Sequence, residues 1–401
     1  MPESAVFDFD FYTDPAYLAD PHGRLLELLK EAPPVIWTPH QGGHWVLLSY
    51  EANLKAARDW ETFSSQIIQK AQFEAMEAAQ APGSPHIPRA VPINLDPPDH
   101  TRYRLPLNGA FSPKTILALH NSIRALAGEL IDNMKSSGRC EFINAVAEQL
   151  PVQVFLKLMG LPLERLPEYR ELVRGHLASL QDIGQAAREL QRMTAVMRDR
   201  FIERRDDPKN DLISMLWSLN IDGRPLTMED MENYGVLLFI AGLDTVTNSM
   251  GFGVRHLAKE PALQEELRRN PALIPEAVEE FLRCYSIVQP FRRLTRDIEF
   301  EGLPMKENER ALLCLPAADL DARTFPNPER VDLRRENKTH IIFNAGPHRC
   351  VGSHLARIEL QTLYEELLSR LPPFRLDPEH QPSFHGGHVI GVNALHLVWD
   401  A

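Results

Sequence analysis

The sequence predicts a mainly α-helical protein, one large helical domain with small β-sheets, and three observations carry that expectation. Beyond the first hundred residues, most of the chain follows amphipathic helical patterning punctuated by proline. Within it, the run from Val236 to Ala241 is apolar on every face, so this helix belongs at the centre of a sizeable core. The 401 residues contain no linker, repeat or low-complexity run that could divide them, so 1–401 reads as a single domain.

From the N-terminus, the first clear element is a hairpin. Val35-Ile36-Trp37 and His44-Trp45-Val46-Leu47-Leu48 are strand-forming runs joined around Gly42-Gly43. The proline-rich region from Ala81 to Pro98 breaks the helical pattern and reads as a long loop, of a length that points to function or mobility. After Asp96-Pro97-Pro98 a helix places His100 and Arg104 four residues apart on one face. The buried helix from Tyr234 to Asn248 carries Asp244 and Thr245 in its middle, where apolar surroundings penalise polar groups. Gly242 permits a local widening there, and the Thr245 hydroxyl can draw a backbone carbonyl out of the helical ladder, leaving a groove. Further on, Glu280-Phe281-Leu282-Arg283 sets a carboxylate and a guanidinium on one helical face inside an apolar segment.

Phe343-Asn344-Ala345-Gly346-Pro347-His348-Arg349-Cys350-Val351-Gly352 is the most informative stretch. Pro347 fixes the approach, and Leu355, Ile358, Leu360 and Leu363 continue with helical spacing, so Cys350 falls at a tight turn that opens a helix. A helix N-terminus lowers a thiol pKa and offers N–H groups to the sulfur. The glycines let backbone approach a flat ligand closely. With no second Cys or His at zinc spacing, one thiolate suits a single axial bond to haem iron better than a tetrahedral metal site.

The pattern Phe-x-x-Gly-x-x-x-Cys-x-Gly resembles the haem-binding signature of the cytochromes P450, and other landmarks of that family occur at the proper distances over essentially the whole chain. The resemblance implies the P450 fold, haem b (iron protoporphyrin IX) as cofactor, and monooxygenation of a C–H bond by O2. Cys350 would be the axial iron ligand, framed by Phe343, Gly346 and Gly352. Thr245 would hydrogen-bond to dioxygen and Asp244 would relay protons from solvent, with Arg170 and Arg174 as candidate ion-pair partners for Asp244. Glu280 and Arg283 would form the family's structural triad with Arg330, from Phe325-Pro-Asn-Pro-Glu-Arg330. His100, Arg104, Arg292 and His348 match positions that hold the haem propionates. Leu237, Ile240, Ala241, Val288, Pro290, His388 and Val389 would line the distal pocket, with Phe73 and His86 as further contributors.

Phe7-Asp-Phe-Asp-Phe-Tyr12, Gly42-Gly-His-Trp45, Gly242-Leu-Asp-Thr-Val246 and Leu397-Val-Trp-Asp400 are similar to the camphor hydroxylase subfamily, whose members oxidise compact terpenoids. Its camphor-specific members place a tyrosine just before Asp-Pro-Pro, and this chain has none between Tyr50 and Tyr103. The favoured substrate is therefore a 1,8-cineole-like monoterpenoid, with camphor or an ionone-type molecule as the alternative. A peroxide-using haem-thiolate enzyme would not need the Asp244–Thr245 pair. A non-enzymatic haem sensor or carrier would need neither that pair nor an aliphatic cage.

A net charge of −12, from 43 basic and 55 acidic side chains, argues against general nucleic-acid affinity. Arg102, Arg104, Lys114, Arg334, Arg335, Lys338, Arg349 and Arg357 would by resemblance gather on the cysteine side, where a basic patch steers an acidic partner. The N-terminus is acidic and polar, and the longest apolar run, Val236 to Leu243, is far shorter than a bilayer span. The four cysteines show no disulfide framework. The expectation is a cytoplasmic monomer without a membrane partner, receiving electrons from a 2Fe–2S ferredoxin and its NAD(P)H-dependent reductase.

Overall fold

The computed structural model describes residues 3–81, 83–179 and 182–400. The chain forms two compact units, each built from separated segments: 1–64 with 116–150 and 245–401, and 65–115 with 151–244.

The first unit contains the sheets that follow from the β-rich runs. Val35–Thr38 and His44–Leu47 pair antiparallel with Val35 opposite Leu47, which is the hairpin the sequence predicts. Gly43 sits at φ +83°, and a Cβ there would meet the Trp37 ring at 2.6 Å, so the turn requires glycine on both counts. All four residues of His44–Leu47 are buried, as befits an interior strand. It takes Arg310–Leu313 on its other edge in parallel, and Phe291–Leu294 and Phe63–Ser64 complete a five-stranded sheet. Trp45, Leu47, Ala52, Ala56, Phe63, Leu294 and Leu313 form the core against this sheet. A second sheet joins Phe374–Leu376, His396–Trp399 and Arg139–Glu141. The Ser353–Arg370 helix lies along the His120–Lys135 helix, where Arg124 reaches Glu366 at 2.6 Å.

The second unit is helical. Leu166–Ser179 packs on Ile183–Asp206, which in turn packs on Met228–Leu243. Thr227 opens the last of these with a capping box: its side chain accepts from the Asp230 N–H while the Asp230 carboxylate accepts from the Thr227 N–H. Met231, Tyr234, Val236, Leu238 and Phe239 are buried, as the all-round apolar sequence requires. By length and composition alone the stretch Met228–Lys259 could cross a membrane, yet 56% of its most apolar window is buried inside the protein, the behaviour of a core helix. Between the Lys70–Ala78 and Asp99–Ala110 helices the described residues form neither helix nor strand, in agreement with the predicted long loop.

Candidate functional site

Cys350 ends the turn predicted from its flanking residues. Its N–H donates to the Phe343 carbonyl at 2.8 Å, closing a loop that contains Asn344 at φ +59° and Gly346 at φ +65°. A Cβ on Gly346 would lie 2.5 Å from the Ala57 carbonyl oxygen, so backbone approaches backbone there and only glycine fits. Gly346–His348 is a short 3-10 turn, and Gly352 caps the Ser353–Arg370 helix.

The donor chemistry of the four cysteines separates them. Burial pushes the thiols of Cys140, Cys284 and Cys314 up to about 12, so at neutral pH they are inert neutral groups. Cys350 is the exposed one. A Cβ on Gly352 would stand 3.8 Å from its sulfur, and its absence keeps that flank of the sulfur open to a planar ligand. The exposed sulfur on a glycine-flanked turn fits an axial haem ligand.

Behind this turn lie two ion networks, both anchored on the Ile274–Cys284 helix. Glu280 and Arg283 are completely buried and meet at 2.8 and 3.1 Å. The Arg283 guanidinium also donates to the carbonyls of Asp319, Pro328 and Arg330. The second arginine on Glu280 is Arg335, at 3.0 Å, and not Arg330. The physical reason is the turn closed by the Arg330 N–H on the Asn327 carbonyl. It aims the carbonyls of Pro328 and Arg330 inward and leaves the Arg330 side chain exposed. Burial works against the Glu280 carboxylate, but hydrogen bonds from Arg283, the Asp332 N–H and Arg335 hold its pKa below the usual range.

Glu279, the next residue, binds Arg357 in bidentate fashion at 2.6 and 2.9 Å and His340 at 3.0 Å. Burial acts to raise its pKa, and the hydrogen bonds from Arg357 and His340 outweigh it, holding it at about 2. Sequence reading missed this network entirely. Three of the basic residues expected in an exposed patch are thereby engaged inside the chain: Arg335 on Glu280, Arg357 on Glu279, and Lys338 on Glu276. Arg102 pairs with Asp99 and Asp222, while Lys114, Arg334 and Arg349 are exposed.

The remaining predicted residues divide between the units. Thr245, Val288, Pro290, Arg292, His388 and Val389 belong to the first, along with Phe343, His348 and Cys350. His100, Arg104, Leu237, Ile240, Ala241 and Asp244 belong to the second. An irregularity lies where Gly242 and Thr245 predict one, though as a break and not a groove: the helix ends at Asp244 (φ −128°, ψ −40°) and a new one starts at Thr245. Gly242 has a packing reason as well, because a Cβ there would strike the Phe155 ring at 2.5 Å. In the second unit, Asn233, Leu237, Ile240, Ala241 and Asp244 fall on one helical face and are all incompletely buried, while Val236, Leu238, Phe239 and Leu243 are buried. The open face of this core helix is thus aliphatic from Leu237 to Ala241, with an amide at Asn233 before it and a carboxylate at Asp244 after it. In the first unit, Val288 and Val389 are joined by an antiparallel β-bridge, and both are half-buried, as are Pro290 and His388. Burial lowers the His388 pKa, so this imidazole is neutral at pH 7.

His100 is buried at the start of the Asp99–Ala110 helix, and Arg292 is buried on its strand. Phe73 is on the Lys70–Ala78 helix with Arg89 over its ring at 4.7 Å. His86 is held at 3.0 Å by the buried carboxylate of Glu232, and the Arg89 N–H donates to Asn233. In this loop His86 Nδ1 is thus taken up by the protein itself, while its Nε2 is buried with no hydrogen-bond partner among the described residues.

Comparison with known proteins supplies the family context. The family profile described as Cytochrome P450 matches residues 117–387. "Probable cytochrome P450 127A1" of Sinorhizobium fredii is 36% identical over 100% of this chain and 96% of its own length. "Cytochrome P450-terp" of a Pseudomonas species is 31% identical, covering 78% of this chain and 77% of its own. The crystal structure of CYP101J2 superposes with a TM-score of 0.87 at 33% identity, covering 100% of this chain and 98% of that one.

Proposed function

The chain belongs to the cytochrome P450 family, and from that premise we propose that it hydroxylates a compact, weakly functionalised terpenoid of the 1,8-cineole type with electrons from a ferredoxin. As a P450 it has the P450 fold, binds haem b and is a monooxygenase. The overall change inserts one oxygen atom of O2 into a C–H bond, while two electrons and two protons carry the other to water.

Haem b supplies the activation of dioxygen when bound, and the chain supplies everything around it. In this reading Cys350 would hold the iron, and His100, Arg104, Arg292 and His348 would hold the propionates. The Thr245 hydroxyl donates to dioxygen, and Asp244, at the break in the helix, brings protons from solvent. Aliphatic side chains exclude water and hold the substrate, so the carbon held nearest is the one oxidised.

The observation that carries the substrate class is the open face of the central helix. Its middle presents Leu237, Ile240 and Ala241, between Asn233, whose amide oxygen accepts the Arg89 N–H, and the Asp244 carboxylate. In the first unit, Val288, Pro290 and Val389 are a separate half-buried aliphatic set. The loop has no tyrosine to match the ketone-binding one of camphor hydroxylases, and its His86 is oriented by Glu232 through Nδ1. A site of this kind selects by shape. The electron donor in this reading is a 2Fe–2S ferredoxin with an NAD(P)H-dependent reductase, and the enzyme works as a cytoplasmic monomer.

The test is a titration of the haem absorption band with 1,8-cineole and with camphor, followed by product analysis with ferredoxin and reductase present. Cineole should convert the haem to high spin and give one main alcohol, with camphor binding at least tenfold more weakly. Tight camphor binding with a single product would overturn the substrate assignment. Failure of any ferredoxin to support NAD(P)H consumption would overturn the donor.

A further inference from the structure

We infer that Glu279, Arg357 and His340 are positioning residues for the sulfur of Cys350, acting through the ring and backbone of Phe343. The inference rests on the reading of Cys350 as the haem ligand. Its starting point is a helix that faces two ways. Adjacent helical residues differ by about 100° in direction, so Glu280 turns to Arg283 and Arg335 while Glu279 turns to Arg357 and His340.

A two-point contact with a carboxylate fixes the plane of a guanidinium as well as its position. That plane matters because the Arg357 carbon lies 4.6 Å from the centre of the Phe343 ring. His340 borders the same ring at 5.9 Å, tilted by 51°, with only 2% of its side chain exposed. The ring is therefore bordered by a cation and an imidazole that share one carboxylate. Phe343 in turn accepts the Cys350 N–H at 2.8 Å, and between them the chain reverses through two positive-φ residues. Such a turn has little freedom to absorb a shift of its first residue, so displacement of Phe343 is passed to the sulfur.

Lysine at position 357 keeps the charge and loses the plane; glutamine at 279 keeps the shape and loses the charge. Neither residue is placed against the haem. The measurement uses reduced, carbon monoxide-bound holoprotein and follows the rate at which the absorption of thiolate-ligated haem decays to the form lacking the thiolate bond. Arg357→Lys and Glu279→Gln should accelerate that decay about tenfold or more with unchanged initial haem content. Phe343→Leu should accelerate the decay as well, and Arg357→Lys added to Phe343→Leu should have no further effect on its rate. A rate equal to the parent's, or an undiminished effect of Arg357→Lys in the Phe343→Leu background, would overturn the inference. Where Arg357→Lys gives no folded protein, His340→Gln takes its place in the same cycle with the same outcomes. Cys350→Ser separates this from the ligand assignment: if the thiolate-type band survives in that variant, the assignment of Cys350 fails and the inference fails with it.

Discussion

Replacing Arg335 and Arg330 in turn by methionine separates the triad found in the structure from the one suggested by sequence. Arg335 donates to the Glu280 carboxylate at 3.0 Å and to the carbonyls of Pro326, Asn327 and Arg330 at 2.8, 3.2 and 3.1 Å. Removing one partner of a buried ion pair costs about 3–5 kcal/mol, because the other charge stays in low dielectric. Glu280 keeps Arg283 and the Asp332 N–H at 2.9 Å, and water can reach the exposed carbonyls, so Arg335→Met belongs at the low end, about 3 kcal/mol. Arg330 serves the network only through its backbone carbonyl, which methionine also has, so Arg330→Met should stay within about 0.5 kcal/mol. Urea unfolding followed by far-ultraviolet circular dichroism, at equal haem loading, measures both. The expected result is a lower midpoint at constant slope for Arg335→Met, and a midpoint near the parent's for Arg330→Met. Equal losses, or a larger loss at Arg330, would refute the assignment.

Three further outcomes are expected. Under the proposed proton-delivery roles, Thr245→Ala should keep substrate binding and NADH consumption while diverting electrons to peroxide, measured as product formed per NADH; unchanged coupling rejects the role. Asp244→Asn should slow the whole turnover by about a hundredfold, read as the steady-state rate at saturating donor. Burial raises the carboxyl pKa of Glu359 from 4.5 to about 8. The native state therefore keeps a proton that the unfolded state has lost, and stability falls as pH rises from about 4.5 to about 8. Glu359→Gln should remove that slope and be the more stable protein at high pH, by up to the order of 5 kcal/mol, in urea titrations across that range; parallel pH profiles would reject it.

What the sequence disclosed and what it concealed differ in a physical way. The Cys350 turn, the hairpin around Gly43, the proline-rich loop and the break at Asp244 were legible because each is decided locally, by residues that limit φ or withdraw a backbone group within a few positions. The triad was half legible for the same reason. Glu280 and Arg283 are neighbours on one helix, so their spacing states their contact. Their third member is 55 residues from Glu280 in sequence, and which arginine arrives depends on a turn between Asn327 and Arg330 that leaves one exposed and buries the other five positions later. The Glu279 network spans 61 and 78 residues and has no pattern to betray it, since Arg357 reads on its helix as one more solvated charge. The basic patch was over-read by the same logic. A list of arginines carries sign but not partners, and Glu276, Glu279 and Glu280, three acids within five residues of one helix, claim Lys338, Arg357 and Arg335 respectively. Charge that a sequence offers to an external partner is available only after the chain's own carboxylates have been satisfied, so with ferredoxin as the proposed donor, reversal of the exposed Lys114 or Arg334 to glutamate should weaken docking most steeply at low salt.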